Sequence, residues 1–151
     1  MFSAEKVLFP TDFSECSKSV FNYVLSFAEA HNSRLTLLHV VEFEQIRRPG
    51  GGREATGVEK SYLEDRRKDL QAMVGPNPPV KVDFKVKEGH AYQEIIRVAG
   101  ELDIDIIIMG THGRTGFEHI LIGSVAEKVI RHADRPVLIV KPPKNSFRHE
   151  K

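Results

Sequence analysis

Apolar runs and helical patterns take turns along this chain, and that alternation constrains the fold more than any other feature. Residues 7–9, Val-Leu-Phe, form a short apolar run closed by Pro10. Residues 14–31 then carry Val20, Val24, Phe27 and Ala28 at i, i+4, i+7 and i+8, a helical spacing. Arg34–Val41 is nearly continuous in apolar residues, as a strand covered on both faces must be. Residues 58–74 read as a charged helix turning Leu63, Leu70, Met73 and Val74 inward, and the prolines from Pro76 to Pro79 break it. Residues 80–86 alternate in polarity, which suits a third strand near a sheet edge. Ala91–Glu101 sets Tyr92, Ile95, Ile96 and Ala99 on one helical face. Residues 104–109 form a fourth strand, wholly apolar after Asp105. Ser124–His132 is the fourth helix, and Arg135-Pro136 leads into a fifth strand, Val137–Val140.

The order βαβαβαβαβ predicts an α/β fold, a single-domain doubly wound parallel sheet with helices on both faces. One domain suits 151 residues, a length that buries about 70% of the surface its unfolded chain exposes. Residues 42–57, a polar stretch around Pro49-Gly50-Gly51-Gly52, are expected to be a flexible loop, and residues 142–151 a frayed tail. The 22 basic residues nearly balance the 21 acidic ones, so neither nucleic acid nor an anionic membrane is an expected partner. The single cysteine, Cys16, excludes an internal disulfide framework and a multi-cysteine metal site. No apolar run approaches membrane-spanning length, and the first residues lack a secretory apolar segment. A cytoplasmic protein is the expectation.

Chemistry concentrates after the fourth strand. Residues 109–124 read M-G-T-H-G-R-T-G-F-E-H-I-L-I-G-S, with a G-x2-G-x9-G-S spacing at Gly110, Gly113, Gly123 and Ser124. Glycines let backbone N–H groups approach an anion without Cβ interference. The following helix adds unpaired donors and the positive end of a dipole. Strand, glycine loop and helix start, in that order, make a phosphate cradle. Ser124 with Glu127 also reads as a capping box, so Ser124→Ala should cost the helix about 1 kcal/mol. Arg114 could reach phosphate oxygens. Asp12, after the first strand, reads either as the N-cap of the first helix with Glu15 at N3, or as an acceptor for a ribose, base or metal. In such sheets ligands bind beyond the carboxyl ends of the strands where strand order reverses. If strand 1 lies beside strand 4, Pro10-Thr11-Asp12 and the glycine loop meet there.

His112 and His119 flank that loop, but the sequence supplies no nucleophile and orienting group for either, so no catalytic residue is assigned. Arg47, Arg48 and Arg53 read as a solvated loop. Metal-binding spacings such as H-E-x-x-H are absent, and a Mg²⁺ or Mn²⁺ would arrive with phosphates. The P-loop pattern G-x4-G-K-[ST] and a G-x-G-x-x-G after strand 1 are both missing. A phospho-receiver is excluded because strand 3 ends Lys85-Val86-Lys87-Glu88, with no aspartate to phosphorylate.

With Pro10-Thr11-Asp12, Leu38-His39-Val40, the glycine signature from Met109 to Ser124 and Arg135-Pro136-Val137-Leu138-Ile139-Val140 in one order, the chain resembles the universal stress protein family over residues 6–141. It resembles the nucleotide-binding branch, because the signature is complete. The resemblance implies a five-stranded parallel sheet in the order 3-2-1-4-5 and a sensor or regulator of stress response that binds ATP, ADP or AMP. It carries adenine and ribose contacts to Pro10, Thr11, Asp12 and Val40. It carries phosphate contacts to Gly110, Gly113, Arg114, Gly123, Ser124 and Val125, with Met109 opening the same signature. It also implies a homodimer through the last strand, Val137–Val140. Ala126 stands where some ATP-binding relatives carry a hydroxyl residue. A slow ATPase, a dimeric interaction module indifferent to nucleotide and an FMN carrier are the alternatives.

Overall fold

The computed structural model describes residues 1–42, 57–111 and 122–142. Within them the chain runs β1 (Lys6–Pro10), α1 (Glu15–Ala30), β2 (Arg34–Val41), α2 (Gly57–Val74), β3 (Val82–Glu88), α3 (Ala91–Glu101), β4 (Ile106–Gly110), α4 (Ser124–His132) and β5 (Val137–Val140). The strands form one parallel sheet in the order β3-β2-β1-β4-β5, as expected. None of the described helices is long and apolar enough to cross a membrane.

Strand periodicity divides the core in two. Successive side chains leave a strand on opposite faces. Val7 and Phe9 of β1 therefore join Leu35 and Leu37 of β2 and Ile106 and Ile108 of β4 on one face. Val20, Phe21, Val24 and Ala28 of α1 cover them, with Leu70 of α2. Leu8, Leu38, Ile107 and Met109 point the other way, against Ile95, Val98 and Ala99 of α3 and Ala126 and Val129 of α4. The central strands are sealed on both sides, which explains their unbroken apolar sequences. The edge strand β3 is only half-buried along most of its length, in keeping with its alternating pattern.

β1 extends one residue beyond the sequence reading at each end, and the limits of β3 and β4 differ from it more, for identifiable reasons. β3 starts at Val82 instead of residue 80 and continues to Glu88, because its pairing with β2 extends through Val40↔Lys87 and Val41↔Glu88. Register with a neighbour, and not apolarity, sets that end. β4 starts at Ile106 instead of residue 104. Ile104 belongs to the close of α3, where its N–H donates to the Ala99 carbonyl at 2.9 Å. Asp103, at φ 52°, makes the left-handed turn this closure requires. Asn32, at φ 50°, does the same after α1, with Ser33 N–H donating to the Ala28 carbonyl at 2.8 Å. Both turns use Asn or Asp, the non-glycine residues that tolerate this conformation best.

Of the side chains expected inward from α2, Leu70 is fully buried, while Leu63, Met73 and Val74 are half-buried. Leu70→Ala should destabilise the protein by about 2–5 kcal/mol, the usual cost of emptying a core leucine site. Urea denaturation measures it, and a loss below about 1 kcal/mol would mean that α2 is not anchored through this residue. The Arg34–Asp83 ion pair, 2.5 Å between Nε and Oδ2, ties β2 to β3 near their starts. The hydrogen bonds from Arg34 hold the Asp83 carboxyl below its ordinary pKa. A carboxylate depressed in the folded state contributes stability above its unfolded pKa, near 3.9, and loses it as pH falls through the folded value. Asp83→Asn should therefore flatten the acid limb of the stability curve below about pH 4 and leave its neutral slope unchanged.

Candidate functional site

Strand order reverses between β1 and β4: the chain passes from β1 outward through β2 and β3, then returns to build β4 and β5 on the other side. The carboxyl ends of β1 and β4 consequently lie side by side with their connections diverging to opposite faces, which opens a crevice. Of the expected site residues, Pro10 ends β1 with Thr11 and Asp12 following it, Val40 lies one residue before the end of β2, Met109 and Gly110 end β4, and Gly123 directly precedes α4, which Ser124 and Val125 begin. Gly113 and Arg114 lie outside the described residues, as do His112, His119, Arg47, Arg48 and Arg53.

The β1 side of the crevice is held by a polar network. Thr11 is buried; its N–H donates to the Leu38 carbonyl at 2.8 Å and its hydroxyl shares a 2.5 Å hydrogen bond with Ser17 of α1. Asp12 Oδ1 accepts the Ser14 N–H at 2.9 Å, and Ser14 Oγ accepts the Ser17 N–H at 3.2 Å. Ser14 is thus the N-cap of α1, not Asp12 as one reading of the sequence had it. The cap is the extended residue directly before the first helical one: Ser14, at φ −65° and ψ 159°, precedes Glu15 and accepts from Ser17, whereas Asp12 lies two residues earlier, closes a turn ahead of the helix and stays half-buried at the crevice.

Phe13 and His39 are site residues that sequence reasoning missed. Phe13 adopts φ 62°, a left-handed conformation that a bulky side chain rarely takes. Its N–H donates to Thr11 Oγ1 at 3.1 Å and its ring lies 4.6 Å from the imidazole of His39. His39 is buried, 2.8 Å from the Thr11 carbonyl through Nδ1. A carbonyl can only accept, so Nδ1 carries the proton. The imidazole thereby fixes the backbone that carries Thr11 and Asp12. Nothing in the sequence marks Phe13 as left-handed, and His39 looks like one more residue of an apolar strand.

On the β4 side, Met109 packs its side chain into the core beside α3 and α4, so only its backbone borders the crevice. Gly110 has a steric reason to be glycine: a Cβ there would sit 3.1 Å from Cys16 Sγ of α1. Gly123 N–H donates to the Thr111 carbonyl at 2.6 Å, which returns the chain to the end of β4.

Ser124 is not the cap of α4. The N-cap is Gly123, at φ −69° and ψ 161°, and no side chain caps the helix. An N-cap has extended dihedrals, and Ser124 is already helical, one position too late for its hydroxyl to take that role. Glu127 N–H donates to the Gly123 carbonyl at 3.0 Å as the first helical bond, and the Glu127 carboxylate pairs with Arg131 at 2.7 Å instead of closing a capping box. By helix geometry the N–H groups of Ser124, Val125 and Ala126 have no intrahelical acceptor. Three donors and the positive end of a dipole therefore face the crevice mouth, an arrangement suited to an anion.

A model of the universal stress protein family matches residues 3–141. Universal stress protein MJ0577 of Methanocaldococcus jannaschii is 35% identical over 153 residues, covering 91% of this chain and 94% of its own. The solved structure of MJ0577 superposes with a TM-score of 0.67 at 32% identity, over 93% of this chain and 98% of that one. Two more distant structures share the fold. A universal stress protein from Archaeoglobus fulgidus in complex with dAMP has a TM-score of 0.63 at 20% identity, covering 93% and 100% of the two chains. A universal stress protein in complex with cAMP has a TM-score of 0.63 at 19% identity, covering 93% and 98%.

The two caps make opposite predictions. Ser14→Ala should lower stability by about 1 kcal/mol, the usual value of a side-chain N-cap. Ser124→Ala should stay within about 0.5 kcal/mol of the parent, as surface changes do. Equal losses in chemical denaturation would refute this assignment of the caps.

Proposed function

The chain belongs to the universal stress protein family, and we propose that it binds ATP, or ADP or AMP, as a sensor or regulator of stress response in the cytoplasm. The observation that carries this reading is the uncapped start of α4 at the reversal of strand order. That is where a nucleotide phosphate finds convergent backbone donors. The dAMP and cAMP complexes of two relatives support an adenine nucleotide as the ligand class.

In this reading Ser124 and Val125 receive phosphate through backbone N–H groups, Gly123, whose own N–H is taken by the Thr111 carbonyl, lets the anion approach without a Cβ, and Ser124, exposed, adds its hydroxyl. Gly110, Gly113 and Arg114 complete the phosphate loop, the last two by sequence alone. Pro10, Thr11 and Val40 wall the adenine and ribose, with the Met109 backbone beside them. The Thr11 hydroxyl is engaged with Ser17, so Thr11 serves through its main chain. Asp12 accepts from the ribose. Among the described residues no three His, Cys, Asp or Glu side chains gather as metal ligands. A Mg²⁺ or Mn²⁺ would be held through the phosphates it accompanies.

Residues 1–151 act as one nucleotide-binding unit, and two copies pair through β5 (Val137–Val140). Among the described residues this strand has a single neighbour in the sheet, β4, and Leu138 and Ile130 expose 38% and 44% of their surface beside it. An uncovered apolar edge strand is a pairing surface. Nucleotide shifts the surface offered to partners only as far as it binds the alternative states differently.

Mass spectrometry of the denatured, purified protein should find adenine nucleotide near one per chain, or Mg-ATP should raise the melting temperature of the empty protein. Neither result at saturating nucleotide would sink the proposal. Asp12→Ala should weaken ATP about tenfold, the loss of roughly 1.4 kcal/mol, and lower stability by about 1 kcal/mol through the lost hydrogen bond from the Ser14 N–H. Leu138→Glu should convert a dimer to a monomer in analytical ultracentrifugation; a parent that already sediments as a monomer would refute pairing through β5.

A further inference from the structure

The other end of the sheet holds a second cavity. The starts of β1, β2 and β3, on the side that carries α3, enclose about 590 Å³ next to the α3–β4 connection. Lys6, Arg34, Arg67 and Lys85 line it, against a single carboxylate, Asp83. Sheet register explains the gathering. Lys6 pairs with Arg34 and Thr36 pairs with Asp83, so these residues project from one face, and Lys85 follows two residues after Asp83. Arg67 comes from α2 and donates Nη1 to the Phe84 carbonyl at 3.3 Å.

The carboxylate is already engaged. Arg34 holds Asp83 through two hydrogen bonds, 2.5 Å from Nε to Oδ2 and 3.1 Å from Nη2 to Oδ1. Lys6, Lys85 and Arg67 have no carboxylate partner among the described residues lining the cavity, beyond the field of Asp83 that Lys85 shares. A chain whose net charge is only +1 thus concentrates cations in one hollow.

Thr36 supplies the second observation. It lies in the cavity wall and is 4% exposed. The other buried hydroxyls near the sheet ends have partners: Thr11 bonds Ser17, and Ser33 bonds the Ala4 carbonyl. The Thr36 hydroxyl makes no hydrogen bond to a described residue, and it is not among the side-chain atoms sealed away from all space. Valine would fill the same volume without a polar group to satisfy. A buried hydroxyl turned to a cationic hollow is a donor waiting for an acceptor.

We propose that this cavity binds a small polyanion carrying two or more phosphoryl groups, with Lys6, Arg67 and Lys85 compensating its charge and the Thr36 hydroxyl donating to one phosphoryl oxygen. Two phosphoryl groups match three cations left without a carboxylate of their own, and the volume suits a metabolite. A duplex or a membrane would need a wider basic face than one hollow provides. This site is separate from the proposed nucleotide site. Thr36 lies near the amino ends of the strands and the start of α4 near their carboxyl ends, so the two readings stand or fall independently.

Inorganic pyrophosphate is the probe, added to the ¹⁵N-labelled full chain in the presence of saturating ATP and followed by amide shifts. The expected result is saturable shifts at Thr36, Asp83 and Lys85. Lys85→Glu should weaken this binding at least tenfold, and Thr36→Val about threefold to tenfold with an unchanged melting temperature. Neither variant should alter ATP affinity. Shifts restricted to Gly123, Ser124 and Val125, no shifts up to about 10 mM, or full pyrophosphate affinity in both variants would each overturn the proposal.

Discussion

The structure depends on β1 being covered in every direction. Five residues, Lys6–Pro10, pair with β2 on one edge and β4 on the other, while Val7 and Phe9 fill one core and Leu8 the other. A strand so enclosed must be apolar along its buried stretch, Val7 to Phe9, and parallel neighbours need helical crossovers on both faces. The reversal of strand order follows, and with it the crevice where β1 and β4 part. The same central placement that holds the hydrophobic layers together creates the one location where diverging connections leave room for a ligand.

Each wall of the crevice is fixed by a different kind of force. On the β1 side, hydrogen bonds hold the turn: Thr11 to Ser17, Asp12 to Ser14, His39 to the Thr11 carbonyl. They keep Phe13 in a conformation that costs energy of order 1–3 kcal/mol, tolerated where surrounding contacts over-determine it. On the β4 side, packing is decisive. Cys16 of α1 occupies the space a side chain on residue 110 would need, so the helix and the strand end approach closely. The hydroxyl network and the missing Cβ both act through α1, which therefore positions both walls.

Legibility from the sequence varied with the physical origin of each feature. Arg34–Val41, Ser124–His132 and Val137–Val140 were read with the observed bounds, because burial on both faces or strong helical spacing leaves a periodic trace. The sheet order and both helical layers followed from connection rules and from the family resemblance. Both limits of β3 and the start of β4 were off by two residues, since partner register and a helix-closing turn at Asp103 have no compositional mark. Both caps were misplaced by the sequence. S-x-x-E at Ser124 and D-x-x-E at Asp12 are real patterns, but a dihedral decides which residue caps, and Gly123 and Ser14 hold the extended dihedrals. His39 was read only as part of the Leu38-His39-Val40 segment and not as a site residue, because it follows apolar residues within a buried strand. Thr36, in the same strand, reads as an ordinary β-branched residue until its surroundings are seen.

The 2.6 Å hydrogen bond from Gly123 to the Thr111 carbonyl has a consequence for how such a protein can change over time. It makes the segment between residues 111 and 123 an excursion whose two ends are anchored to the same point of the scaffold. The entropy of closing such an excursion grows only with the logarithm of its length, about 0.6 kcal/mol for each doubling. By that scaling a change in chain length between the two anchors costs folding little so long as the contact between Gly123 and Thr111 is kept. In that sense the scaffold fixes only the two anchors, and any demand on what lies between them comes from the ligand.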